Sequence, residues 1–321
     1  MPRLLSDKIE LKANFAALEV NAEFSGFKSF IDDAEDTLAE IVGYHVINGL
    51  AEVKDSTDPV VKRAVTAMSR AVAHLGIYIW SKTAMYKISD AMLMLVKNAN
   101  GAIISDKKLQ DLHGYCQDTG YKFLDKAIAL MEANLAKFPL WAQSDERLKS
   151  RQFFIQTAGE FSAFHSIGES RITYQSLMPI MADVEERFLP VYMGEEYYLT
   201  FKELYVEEMA SADDKKLLPY IKKAIALITV SESFNRLPVQ LKAGGLFIDS
   251  FTSTTEYEQK LSPDQKEKDR LRGYYFNLGE STLLKLRQYL NKNADKYPDF
   301  TPAAPALITI NTKESGVYGM F

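Results

Sequence analysis

The chain has 321 residues, 47% hydrophobic and 25% charged, enough apolar material for about two domains of ordinary globular composition. A net charge of −5 gives no sequence-independent attraction to nucleic acid phosphates or anionic lipid, and no Lys/Arg run supplies a local basic patch. A single cysteine, Cys116, excludes an intramolecular disulfide framework, no run approaches the ~18–20 apolar residues of a membrane span, and Arg3, Asp7 and Lys8 interrupt any signal segment, so the expectation is a soluble intracellular product.

Asp7 to Leu18 has moderate helical character. From Phe27 the pattern sharpens: Phe27, Phe30, Ile31, Ala34, Leu38, Ile41 and Val42 recur at three and four, one face of a helix that reaches Gly43. Asp58-Pro59 is a start signal, an acidic N-cap followed by proline at the first helical position. Val61, Ala64, Val65, Met68, Val72 and Leu75 then line a long helix, and Ile77-Tyr78-Ile79-Trp80, apolar nearly all round, is expected to be central and buried. Asn98 to Gly101 reads as a loop, and Ser105-Asp106 opens the next helix. A break is expected at Gly120, because its counterpart Gly279 is followed by Ser281, a plausible new cap. Phe138-Pro139 ends the unit, leaving Pro139 to Ser144 as a connector. Ser262-Pro263-Asp264-Gln265 is a capping box with proline at the first helical position.

The chain says the same thing twice. Residues 112–139 match 271–298 at a shift of 159 without a gap, with Leu, both Gly, Tyr, Asn, Lys and Pro identical. Leu4 to Glu35 aligns on Phe154 to Glu185 at a shift of 150, pairing Glu10 with Glu160 and Glu35 with Glu185. Lys62 to Leu93 aligns on Lys215 to Leu246 at a shift of 153. Two amphipathic helices share apolar periodicity for physical reasons, but not Gly, Asn and Pro in one register. The expectation is an all-α protein of two tandemly duplicated helical-bundle domains, 1–143 and 144–300, followed by an extended C-terminal arm, 301–321. The arm opens with Thr301-Pro302-Ala303-Ala304-Pro305, which cannot continue a helix, and passes into the β-prone run Ala306 to Asn311. It either straps onto its own domain or reaches a neighbouring subunit. In the second case Ile308, Ile310, Val317, Tyr318 and Phe321 are its contact residues, because no long element of their own buries them.

Signals for chemistry are few. Phosphate-binding glycine loops, HExxH, CxxC and GxSxG are missing from the sequence, and no His of the four has Glu three residues before it, as a ferritin-like metal site requires. His113 and Cys116 stand three apart, but two ligands make no site, and the second copy has Arg272 and Tyr275 there. Glu35 and Glu185 read as solvated or salt-bridged helix faces. Tyr and Phe near the repeat boundaries suit core or subunit contacts. The expectation is no catalysis, no cofactor and no metal.

Several short motifs carry a family likeness. They are Phe27-Lys28-Ser29-Phe30-Ile31-Asp32-Asp33-Ala34-Glu35, Lys87-Ile88-Ser89-Asp90, Phe138-Pro139-Leu140-Trp141-Ala142-Gln143-Ser144, Ser170 to Pro179, and the ending Lys313 to Gly319. Through them the chain resembles a family of uncharacterised phage and prophage proteins from Bacteroidetes that are similar to head–tail connector proteins. It departs at Ala91, where the family carries glycine, while the second copy has Gly244-Gly245. The resemblance implies a structural virion protein of the phage neck, assembled in the host cytoplasm as a homo-oligomeric ring. Such a ring joins portal to tail proteins and lets DNA pass without sequence-specific binding or membrane contact. A cytoplasmic helical scaffold or regulatory adaptor is the alternative that the same bundle allows.

Overall fold

The computed structural model describes residues 3–18, 23–83, 86–88, 93–95, 106–237, 239–242, 245–248, 265–297 and 300. Two compact units divide it: one holds residues up to Arg151 together with Glu169–Ile172, the other holds Gln152–Gly168 and the chain from Thr173. Helices dominate both, with one two-stranded hairpin in each.

Unit 1 contains α1 (Lys8–Asn14), α2 (Lys28–Val42), α3 (Tyr44–Glu52), α4 (Pro59–Thr83), the strands β1 (Tyr86–Ile88) and β2 (Leu93–Leu95), α5 (Asp106–Glu132), α6 (Pro139–Ala142) and α7 (Asp145–Arg151). Asp58 caps α4 as its sequence signals: Oδ1 accepts from the amides of Val60 at 2.8 Å and Val61 at 3.2 Å. Gly43, at φ +100°, turns the chain between α2 and α3, a backbone position that an L side chain rarely adopts. The antiparallel pair α4 and α5 forms the spine, and Ile31, Leu38, Met68, Val72, Leu124 and Trp141 lie in the core that α2 and α3 close.

Unit 2 contains α8 (Ala158–Ser162), α9 (Arg171–Met193, whose first two residues group with unit 1), α10 (Glu195–Val206), α11 (Leu218–Arg236), β3 (Val239–Lys242), β4 (Gly245–Ile248) and α12 (Gln265–Lys292). Gly194, at φ +82°, turns the chain between α9 and α10 as Gly43 does in unit 1. The antiparallel α11 and α12 are the spine here, and Leu283 occupies on α12 the place of Leu124 on α5, both buried.

The duplication therefore extends to tertiary contacts. A Cβ added to Gly120 would stand 2.8 Å from Leu75 Cγ and 3.5 Å from Ala71 O. One added to Gly279 would stand 2.5 Å from Ile228 Cγ1 and 3.3 Å from Ala224 O. Leu75 and Ala71 are the residues that align with Ile228 and Ala224 at the shift of 153. The hairpins share that shift: Tyr86 pairs with Leu95 and Ile88 with Leu93 in one, Val239 with Ile248 and Leu241 with Leu246 in the other.

Three expectations change. Gly120 does not break a helix: α5 runs through it, and the glycine is there so that α4 can approach closely. Pro139 to Ser144 is packed structure rather than linker, since α6 places Trp141 in the unit 1 core and α7 joins the same unit beyond the expected boundary at residue 143. Of Ile77 to Trp80 only Ile77 is buried; Tyr78, Ile79 and Trp80 are partly exposed at the end of α4. The all-α architecture of two duplicated helical units stands, each unit carrying one short two-stranded hairpin. The loop at 98–101, the cap residues 262–264 and the arm at 301–321 lie outside the described residues.

Candidate functional site

The matched carboxylates come first, because paired acids are what chemistry would use. Glu35 and Glu185 are each 2% exposed, so neither is a solvated face. Glu35 Oε1 accepts the amide of Leu4 at 2.9 Å, and Glu185 Oε1 accepts the amide of Phe154 at 2.9 Å, the same contact at the shift of 150. Each acid thus pins the chain that leads into its unit. The cations differ: Arg3 pairs with Glu35 at 2.8 Å, whereas Lys202 on α10 pairs with Glu185. Burial pushes the Glu185 carboxyl above the ordinary range, opposed by Lys202 and the Phe154 amide. Two residues on, each strand of chain enters a capping box. Glu10 Oε2 accepts from the Ser6 amide at 2.7 Å while Asp7 Oδ1 accepts from the Glu10 amide at 2.8 Å. Glu160 Oε2 and Thr157 Oγ1 repeat this with the amides of Gln156 at 2.8 Å and Glu160 at 3.1 Å. Each of these four glutamates holds a backbone amide with one oxygen and a cation with the other, Lys54 pairing with Glu10 at 2.7 Å and Lys222 with Glu160 at 3.1 Å.

A second polar cluster lies within unit 1, where sequence reasoning had no signal for it. Asp125 Oδ1 accepts the amide of Arg171 at 2.8 Å, capping the first residue of α9. The Arg171 guanidinium donates to the Glu146 carbonyl at 2.7 Å and lies 5.9 Å from the Trp141 ring centre. Burial pushes the Asp125 carboxyl up to about 7, against the opposing pull of Arg171. Glu132 accepts from Trp141 Nε1 at 3.1 Å and Arg147 Nε at 3.1 Å, which ties α6 and α7 back to α5.

The nucleophile and imidazole candidates are quiet. Cys116 is fully buried and its thiol is pushed up to about 11 by burial, so it holds its proton. Burial also depresses His74, His113 and His165. His74 is packed among Phe15, Tyr115 and Phe123, and its Nδ1 lies 2.8 Å from the Arg70 carbonyl. His113 packs edge-on to Tyr78 on α4. Among the described residues no three His, Cys, Asp or Glu side chains converge as a metal would need. Among them, too, no helix is long and apolar enough to cross a membrane. The contact residues expected from sequence, Ile308, Ile310, Val317, Tyr318 and Phe321, lie outside the described residues.

One family model matches the chain, and it matches twice, over residues 35–151 and 189–307, together well over half its length. It is described as a family of unknown function, DUF6712. The two matches fall one on each helical unit, in keeping with a tandem duplication. No curated protein and no solved structure matches the chain.

Proposed function

We propose that this chain, which belongs to the family of unknown function through both of its halves, is a structural component of a phage neck. In this reading it forms a homo-oligomeric ring between portal and tail proteins, with DNA passing through the ring unread. It works without catalysis or cofactor. The observation that carries the reading is the duplication: one helical module appears twice in one chain with the same caps, glycine contacts and hairpin register. A ring component needs rigid lateral faces that recur around an axis, and a repeated module supplies them. Two further observations agree. The buried ionisable groups described above hold backbone or pack in cores. The motif likeness set out from the sequence points to connector proteins, and the net charge of −5 suits a wall past which DNA moves without sticking.

The test is native mass spectrometry and negative-stain imaging of the purified chain, with immunogold labelling of virions from a host carrying the gene. A closed ring and label at the head–tail junction are the expected results. A chain that stays monomeric at every concentration and is missing from virions would remove the reading. Deleting 301–321 tests the arm separately. The expectation is an unchanged melting temperature with lost ring formation or virion incorporation, whereas an unfolded truncation would make the arm part of its own core.

A further inference from the structure

Each unit is entered through a lead-in segment, residues 3–18 in unit 1 and 152–167 in unit 2, and each lead-in is held at two places. The first is the carboxylate already described, Glu35 on the Leu4 amide and Glu185 on the Phe154 amide. The second is an aromatic joint to the spine, and in both units it contains one imidazole. In unit 1 the lead-in supplies Phe15 and α4 supplies His74, ring centres 5.1 Å apart and edge-on. In unit 2 the lead-in supplies His165, which stands at the place of Phe15 at the shift of 150. Its ring meets Tyr275 of α12 at 5.0 Å, again edge-on. The place of His74 is taken in unit 2 by Leu227, and the place of Tyr275 is taken in unit 1 by Cys116. The repeats thus reach one arrangement from opposite sides, with histidine from the spine in one and from the lead-in in the other.

Both surroundings suit a neutral ring. His74 is buried, with Tyr115 and Phe123 of α5 at 5.9 and 5.7 Å and Phe15 of α1 across from it. Its Nδ1, 2.8 Å from the Arg70 carbonyl, carries the hydrogen, so a second proton would go to Nε2 among these rings. The charge that acts on it is the Arg70 guanidinium, 5.3 Å over the Phe123 ring, and it repels a cation. His165 Nε2 is buried and meets no hydrogen-bond partner among the described residues. The titratable groups beside it are the phenols of Tyr275 and of Tyr274, whose ring is 5.3 Å from that of Tyr275, while α11 adds Phe234 stacked on Tyr275. Among the described residues no carboxylate acts on either imidazole. A buried cation without a partner is costly, and burial accordingly holds both rings below the ordinary histidine range. An imidazole uncovered to water takes its proton near pH 6.5. The closed joint therefore binds fewer protons than the open one, so closure is complete above about pH 6.5 and is lost as pH falls below it.

We propose that the two joints are proton-operated latches, His74 and His165 releasing residues 3–18 and 152–167 from their spines in mild acid. Opening uncovers the apolar groups that each lead-in buries, Leu5 and Leu11 in unit 1, Ile155 and Phe161 in unit 2.

The experiment is hydrogen exchange by mass spectrometry on the full chain at pH 7.5 and pH 5, corrected for the intrinsic pH dependence of exchange. Two variants are built from the chain's own repeat. His165→Phe carries the residue that unit 1 has at that place, and His74→Leu carries the residue that unit 2 has. In the wild type, exchange in both lead-ins is expected to accelerate severalfold at pH 5, with about thirtyfold as the ceiling for a released group that ionises near 6.5. His165→Phe is expected to abolish the acceleration in 152–167 and keep it in 3–18, and His74→Leu is expected to do the reverse. The carboxyls of Asp125 and Glu185, raised by burial, respond to pH in the opposite sense, so each variant is read against the wild type at the same pH. Circular dichroism at pH 7.5 confirms folding; if His74→Leu fails there, His74→Phe, which keeps a ring against Phe15, replaces it. A wild type whose lead-ins exchange alike at both pH values, or variants that keep the acid acceleration in their own unit, would overturn the proposal.

Discussion

Asp125 is a carboxylate whose ionisation the folded chain resists, and that resistance has a sign. Its folded value is pushed up to about 7 by burial, while an unfolded aspartate ionises near 4. Between those values the folded state binds the extra proton, so stability is intact below about pH 4, declines as pH rises to about 7 and is level above that. Asp125→Asn keeps an oxygen for the Arg171 amide and has no proton to lose. It is expected to flatten the pH 4–7 slope and to gain about 1–2 kcal/mol over the wild type at pH 8, read from melting midpoints across that range. A variant profile as steep as the wild type's would contradict this account. The four aligned helical glycines divide just as sharply. Gly279→Ala and Gly120→Ala push a methyl against Ile228 and Leu75, and overpacking of that kind costs about 1–3 kcal/mol. Gly114 and Gly273 have nothing within 4 Å of an added Cβ, so alanine there stabilises by about 0.5–1 kcal/mol through helix propensity. Thermal melts of the four single variants would show two losses and two gains; four losses would mean that the open positions are covered.

Among elements, the lead-in segments at Leu4 and Phe154 show how far sequence could go. Pairing Glu10 with Glu160 and Glu35 with Glu185 came from alignment alone, and the structure gives each pair one shared job. What alignment could not give was the cation, because Arg3 comes from the lead-in itself and Lys202 from α10, and neither has a counterpart in the other copy. That difference sets a prediction. Glu185→Ala leaves Lys202 and the Phe154 amide without their acceptor in a buried place, a loss of about 3–5 kcal/mol. Glu35→Ala frees a half-exposed arginine and strands mainly the Leu4 amide, a loss of about 1–3 kcal/mol. Equal losses in denaturant titrations would show that the cations contribute nothing. The hairpins were illegible for a different reason. β1 and β2 are three residues each, and runs that short carry too little alternation to stand against the long helical periods on either side. Gly120 misled because its conformational meaning depends on α4, which no local pattern reports. Asp125 and Arg171 lie 46 residues apart, and nothing local to either names the other.

At the scale of the molecule the two repeats keep separate cores. Leu124 and Met68 belong to one, Leu283 and Ile221 to the other. Leu124 and Leu283 are aligned, fully buried and hold the same place on the spine helix of each unit. Truncating either to alanine therefore removes the same group from two versions of one core, at about 2–5 kcal/mol each. Stability in such a chain is local, and a lesion is felt first by the elements that share its core. Hydrogen exchange followed by mass spectrometry reads this directly. Leu124→Ala is expected to speed exchange in α2, α4 and α5 and leave α9, α11 and α12 at wild-type rates, and Leu283→Ala is expected to do the reverse. If each variant instead accelerated all six helices equally, the repeats would unfold as one cooperative body. Duplication would then have produced a single domain whose two cores cannot be perturbed apart.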